Sequence, residues 1–376
     1  MAYETQRVAP QVQGRETPVL RHRRATLVLM SLLLLFGVVC LAAVGIGMVP
    51  IAPQQVVAIL GRRSLELLTG TSAVLPWSAT AQQEAVLLTI RVPRVILGAL
   101  TGAGLGLSGA AMQGLFRNPL ADPGLIGVSS GAALAAVTVI VLGETWMPGV
   151  VAVLGIFTLP VAAFVGGLGT TWAVYSVSRV SGHTIVATML LVGIAVNALA
   201  QSGVGMLSFI ASDAQLRNIV FWSMGSLGGA SWVKVWPVFL STALTAVIMI
   251  RWLARPLNVL LLGESEADYL GVHIDGIKRY IIALVALTVG ASVAATGPIG
   301  FVGLAVPHLL RLWIGPDHRY LLPGVILLGA ILLLGADLIA RMVLAPAELP
   351  IGMVTAAMGA PFFLFLLLRQ RRQWSL

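Results

Sequence analysis

What most limits the folds open to this chain is a succession of apolar runs. Ten can be drawn, at about 25–47, 95–115, 126–142, 150–176, 184–208, 233–252, 280–296, 299–314, 321–343 and 351–368. A helix needs about 20 mostly apolar residues to cross a bilayer, and most of these runs supply them. Membrane-spanning strands would instead alternate polar and apolar residues in segments of about ten, and no such alternation is seen. Composition closes the soluble alternative: 58% of the residues are hydrophobic and 10% charged, too little polar surface to cover a water-soluble fold of 376 residues. The chain is therefore predicted to be an all-α integral membrane protein with about ten transmembrane helices.

Charge sets the expected topology. An even number of spans puts both ends on one side, and an N-in, C-in arrangement places sixteen of the 23 Lys and Arg residues on the cytoplasmic side. That is the excess that resists translocation. The first run follows Arg21, Arg23 and Arg24 and is too long for a signal-peptide core, so it reads as a retained span. The expected organisation is a cytoplasmic polar tail at 1–24, one transmembrane domain at 25–369 and a short cytoplasmic tail at 370–376. Within the domain lie a periplasmic loop at about 48–94 and a cytoplasmic loop at about 253–279. The periplasmic loop carries Arg62, Arg63 and a Pro76-Trp77 turn, and the residues assign it no role.

Spans two to five and seven to ten start on opposite sides of the membrane, the signature of an inverted repeat. Two corresponding spans, 126–142 and 299–314, are short and follow breaks: Asn118, Pro119, Asp122, Pro123 and Gly124 before one, Gly297, Pro298 and Gly300 before the other. Such breaks point towards a translocation route. Asp122 before Pro123 equally fits a helix N-cap followed by a first-turn proline. In span two, Gly98, Gly102, Gly106 and Ala110 recur every four residues, which lets a neighbouring backbone approach closely.

Polar residues inside an apolar helix should face protein or water. Gly193, Asn197, Gln201 and Gly205 form such a stripe in span five, and Gly352, Thr355 and Gly359 form a small face in span ten. Interhelical hydrogen bonding and pore lining both fit this spacing. Between spans six and seven, Glu264, Glu266, Ala267, Leu270 and Gly271 read as a short amphipathic helix ended by glycine. Arg91 and Arg94 stand at the outer start of span two, and Arg341 lies four residues after Asp337 on the same side. Headgroup snorkelling or an Asp337–Arg341 pair would account for them.

Several chemistries are excluded or disfavoured. A phosphate-binding Gly-x-x-x-x-Gly-Lys-Ser/Thr loop is missing, and the two lysines, Lys234 and Lys278, follow Val and Ile. No nucleophile stands with a neighbouring His and carboxylate, so an enzyme is not expected. Cys40 is alone, and the five histidines lack metal-site spacing. The net charge of +9 sits on loops and tails without interleaved aromatics, which speaks for membrane topology and against nucleic acid.

The segments from Arg91-Val-Pro-Arg94 to Gly127, from Leu216 to Gly225, from Gly297 to His308 and from Glu348 to Gly352 together resemble the iron-chelate, haem and cobalamin branch (FecCD family) of bacterial ABC importer permeases. The resemblance covers about residues 25–369. It implies a permease of the bacterial inner membrane that works by alternating access as a homodimer. Its implied partners are two cytoplasmic ATP-binding cassette subunits, which hold ATP and Mg, a periplasmic substrate-binding protein, metal-chelate cargo and membrane lipid. No cofactor or metal would be bound by this chain itself.

By the same resemblance, Arg91, Arg94 and Arg341 match arginines that dock the binding protein. Glu264, Glu266, Ala267, Leu270 and Gly271 match the coupling helix, and the stripes in spans five and ten match the pathway at the dimer axis. The segment from Asp213 to Leu227 is most similar to haem-importing members, with ferric siderophore and cobalamin as alternatives. A self-sufficient secondary transporter is the rival class. It needs an ionisable group deep in the bilayer, where burial costs roughly 2.5–3.5 kcal/mol. The spans offer only Asp337.

Overall fold

The computed structural model describes residues 18–47, 49–69, 80–180 and 182–374. The polar tail before residue 18, the Pro76-Trp77 turn and the last two residues lie outside them. The first span, α1 (Pro18–Gly45), is followed by α2 (Pro53–Thr69) and α3 (Ala81–Val86), and α3 runs through a π-turn at Leu87–Arg91 into α4 (Val92–Leu115). Next come α5 (Val128–Trp146), the short α6 (Pro148–Leu154), α7 (Thr158–Val177) and α8 (Val186–Ile210). A two-residue ribbon, β1 (Arg179–Val180) and β2 (His183–Thr184), joins α7 to α8. After α9 (Asp213–Ser223), α10 (Trp232–Ile248) continues through a second π-turn into α11 (Ala254–Leu260). The chain ends with α12 (Glu264–Tyr269), α13 (Ile274–Thr296), α14 (Val302–Ile314), α15 (His318–Met342) and α16 (Ile351–Trp374).

Among the described residues, eight helical stretches are long and apolar enough to cross a membrane, and α14 and Ile351–Phe365 of α16 are two shorter apolar ones. They fall on the ten runs read from the sequence, and the protein is an all-α, multi-pass membrane protein. One boundary is corrected. The helix leading into the second span starts at Ala81, not near 95, because Thr80 and Gln83 form a reciprocal capping box: the Gln83 N–H donates to Thr80 Oγ1 at 3.2 Å and the Thr80 N–H to Gln83 Oε1 at 3.0 Å.

The loop between the first two spans is also more structured than its composition suggested. α2 is amphipathic, and Ile51, Val56 and Ile59 pack with Val44, Leu87, Val95 and Leu334 as a cap over one end of the bundle. An Arg62–Glu84 ion pair and a 3.0 Å bond from Gln83 Nε2 to the Pro50 carbonyl hold it there.

The hub is α4, which packs on α10, α13, α14 and α15. Its glycines make this possible. A Cβ at Gly102 would overlap the Gly329 carbonyl of α15, and one at Gly109 would overlap the Gly303 carbonyl of α14. Within the four-residue stripe, Gly102 and Gly106 meet the backbone of α15 and Gly98 meets the Leu227 and Leu334 side chains, so the stripe serves packing.

The two breaks flank this hub. Asp122 caps the turn Pro123–Ile126, its Oδ1 accepting from the Gly124 N–H at 2.7 Å, so its position is that of a helix-start residue. On the other side, Phe301 enters α14 with φ 67°, the left-handed region that few non-glycine residues adopt. The breaks meet: a Cβ on Gly303 would stand 3.1 Å from Pro123 Cδ.

Candidate functional site

Three groups of predicted residues occupy three places. At the α2 end, Arg91, Arg94 and Arg341 are brought together, but as a buried network. Arg91 is 5% exposed, and its Nη1 donates to the carbonyls of Val44 and Gly45 at 2.8 Å each, while Nη2 reaches the Val49 carbonyl. Val44 and Gly45 close α1, so Arg91 serves as a C-terminal cap from another helix. Arg341 adds to it, donating to Ala43 at 3.1 Å and Ile46 at 3.3 Å.

Asp337, fully buried, binds the network from its centre. Arg94 donates to Oδ1 through Nε at 3.1 Å and Nη2 at 2.9 Å, and Arg341 Nε lies 3.1 Å from Oδ2. Arg94 Nη1 also donates to Glu348 Oε1 at 2.8 Å, and the Glu348 side chain is 44% exposed. Docking of a binding protein would call for the three arginines to be exposed. Among the described residues, Glu348 is the member of their charge network that reaches the surface.

The polar stripe of α8 divides. Gly193 is spent on packing, since a Cβ there would overlap the Leu125 carbonyl. Asn197 Oδ1 accepts from the Ser130 hydroxyl, and its Nδ2 donates to the Gly124 carbonyl at 3.2 Å, tying α8 to the first break. Gln201 is exposed and Gly205 has open space beside it. Asn197 and Gln201 line one cleft of about 380 Å³ with Ser130, Trp222, Ser223 and Pro298. Trp222, Ser223 and Ser130 were not singled out from the sequence, although the first two belong to a quoted segment.

The small face of α16 serves contact. A Cβ at Gly352 would overlap the Met224 carbonyl, and one at Gly359 would stand 2.5 Å from Phe301, whose left-handed backbone turns its ring onto α16. Thr355 is buried and bonds back to the Gly352 carbonyl at 3.1 Å. The α16 start is itself held by N–H donation from Ile351 and Gly352 to the carbonyls of Gly225 and Met224, 3.1 Å each.

A labelling test follows from this split. With Cys40 removed, Gln201→Cys and Gly205→Cys are expected to react with an aqueous thiol reagent several times faster than Gly193→Cys, which sits on the Leu125 backbone. Equal protection of all three would remove the water-facing cleft.

At the opposite end, α12 folds as predicted from its acidic start and glycine stop. The Gly271 N–H donates to the Asp268 carbonyl at 2.8 Å and the Val272 N–H to Ala267 at 3.0 Å, with Gly271 at φ 76°, the Schellman arrangement that glycine favours. Ala267 is fully buried against the bundle and Glu264 is held by Lys278 Nζ at 2.8 Å, while Glu266, Tyr269 and Leu270 face outward. Lys278 also donates to the Thr184 carbonyl at 2.8 Å, joining α12 to the β-ribbon. Beside it lies a cluster the sequence reading missed. Arg311 bonds Gln113, His318 Nδ1 lies 2.8 Å from Asn258 Oδ1, and Asn258 Nδ2 donates to Asp317 at 2.6 Å. Gln113, Asn258 and the Arg311–His318 stretch are far apart in the chain, and no spacing rule connects them.

The α12 surface is apolar as well as acidic, Tyr269 being 92% exposed. Comparison with known proteins gives this face and the side cleft a context. The hemin transport system permease of Yersinia pestis is 50% identical over 288 residues, covering 77% of this chain and 84% of that one. The cobalamin import system permease of Halobacterium salinarum is 43% identical over 296 residues, 79% and 77% of the two chains. A metal-chelate-type ABC transporter solved in an inward-facing conformation superposes with a TM-score of 0.76 at 32% identity, covering 92% of this chain and 99% of that one. The pattern of the FecCD transport family matches residues 32–369. The chain belongs to the FecCD transport family and is the multi-pass, inner-membrane permease component of an ABC importer.

Proposed function

We propose that this permease imports haem, as a homodimer with two cytoplasmic ATP-binding cassette subunits that hold ATP and Mg and a periplasmic binding protein that delivers the cargo. Both termini are cytoplasmic in this reading, α12 is the ATPase-coupling helix, and the α8 cleft opens to the pathway between the two copies. The observation that carries the cargo assignment is the higher identity to the hemin permease, 50% against 43% for the cobalamin permease. The dimer reading is supported by Gln201 of α8, an exposed polar side chain on a membrane helix, where polar groups face protein or water. In this reading an approaching carboxylate of the binding protein reaches Arg94 by displacing Glu348.

A secondary transporter is disfavoured by Asp337. Its two oxygens are taken by Arg94 and Arg341, so it is not free to pick up and release a coupling ion.

The test is uptake by the complete complex in proteoliposomes offered haem, cobalamin or a ferric siderophore. Haem uptake that requires ATP is expected, and uptake of cobalamin or siderophore alone would overturn the cargo assignment. In the same assay, Leu270→Asp on the exposed face of α12 should lower ATP-driven uptake by about tenfold or more, the effect of losing one interface anchor. Gly271 is a poorer probe. Its positive φ means that any bulky replacement strains the helix end whether or not a partner is present. Unchanged coupled uptake by the Leu270 variant would take α12 out of the partner contact.

A further inference from the structure

Lys234 has no part in the transport reading. It stands in the first turn of α10, behind the N-cap Ser231, whose side chain makes no capping bond. Trp232 and Trp236 flank it and are exposed, the latter edge-on to Phe239 at 5.9 Å between ring centres. Tryptophans at the end of a membrane helix sit at headgroup depth, so the ammonium lies at the same level. A lysine there either reaches out to water or finds an anion. Among the described residues, the Lys234 ammonium has no hydrogen bond or ion pair. It is half-buried, its Nζ tucked 3.1 Å from where a Cβ on Gly229 would be.

What it borders is a lateral groove of about 520 Å³. α7 and α10 each pack on α13, and the space between them is floored by small residues, Ala291 and Ala295. Phe157 and Phe164 form one wall, Leu240 and Leu244 the other. Leu240 and Leu244 remain largely exposed, so the groove opens sideways between the helices. From Lys234 to Leu244 the helix rises about 15 Å, at about 1.5 Å per residue. This is half of a roughly 30 Å hydrocarbon core, the depth of one leaflet. The polar groups Ser231 and Lys234 stand together at the headgroup end, and the rest of the groove is apolar but for Ser241, whose hydroxyl is spent on the Val238 carbonyl at 3.1 Å.

We propose that this groove binds one anionic phospholipid. An acyl chain lies over the alanine floor between the phenylalanine and leucine walls, and the phosphate pairs with the Lys234 ammonium and accepts from the Ser231 hydroxyl. Charge complementarity selects the occupant: a neutral hydrophobe would leave the ammonium unpaired, and a soluble anion would leave the apolar walls empty.

The experiment is native mass spectrometry of the complete transporter, stripped of lipid and titrated with phosphatidylglycerol or phosphatidylcholine. The wild type should prefer phosphatidylglycerol by about fivefold, which is what one interfacial lysine contributes. Lys234→Gln should abolish that preference, Lys234→Arg should keep it, and Ala295→Trp, which fills the floor, should exclude both lipids from the site. Equal binding of the two lipids by the wild type overturns the proposal. So does a preference that survives Lys234→Gln, or bound lipid unchanged by Ala295→Trp. If Lys234→Gln is not recovered folded, the wild-type preference and the Ala295 variant decide the matter.

Discussion

Replacing Asp337 by Ala is expected to destabilise the protein by about 3–5 kcal/mol, because it removes the shared counter-charge of a buried pair. Arg94 and Arg341 would be left facing each other in a site where the side chains are 8% and 9% exposed. Arg341 would then lose one of the contacts that hold it against the end of α1, so damage should spread to the packing of α1 on α15. Thermal unfolding of purified protein in detergent checks this. Asp337→Asn should cost less, since the amide oxygen can still accept one bond. Glu348→Gln should cost less than Asp337→Ala, because that side chain is half in solvent and Arg94 keeps Asp337 as its counter-charge. If Asp337→Ala unfolded like the wild type, the network would be a surface feature and its burial would have no energetic meaning.

An equally large loss is expected from Gly109→Val. A Cβ at this position overlaps the Gly303 carbonyl, and both partners are backbone, which cannot swing aside as a side chain can. Overpacking a core with a few methylenes costs about 1–3 kcal/mol when side chains can adjust. Here α4 and α14 must separate, so the cost lies above that range and little folded protein should be recovered by gel filtration. Gly205→Val is the control, since nothing lies within 4 Å of a Cβ there. Recovery of Gly109→Val equal to that of Gly205→Val would show that the α4–α14 contact is not needed for assembly.

The bilayer explains why the helices were legible. Each span must satisfy its own backbone within one segment, so its signal is local and survives in about 20 consecutive residues. The α12 stop at Gly271 and the Asp122 cap were readable for the same reason, because each is decided within five or six residues. The Asp337–Arg341 pair was readable too, being one turn of a single helix. The early start of the helix at Ala81 was missed because its signal is a capping box made by Thr80 and Gln83, which carries no hydropathy.

Chain order held no information on which distant groups meet. Arg94 finds Asp337 across 243 positions, and the sequence offered lipid headgroups or a partner protein as equally good fates for its charge. The glycines show the same limit. Gly193, Gly205, Gly352 and Gly359 look alike in the sequence, yet three press against the Leu125 backbone, the Met224 backbone and the Phe301 side chain, while Gly205 borders open space. Periodicity and composition determine that the chain crosses the membrane as helices, roughly where the apolar spans lie, and which faces are small or polar. Whether a small face meets a backbone or a cleft, and which anion a buried cation receives, depends on helix packing. The tertiary structure decides it, because burying a charge or closing two backbones is favourable only when the partner is already in place.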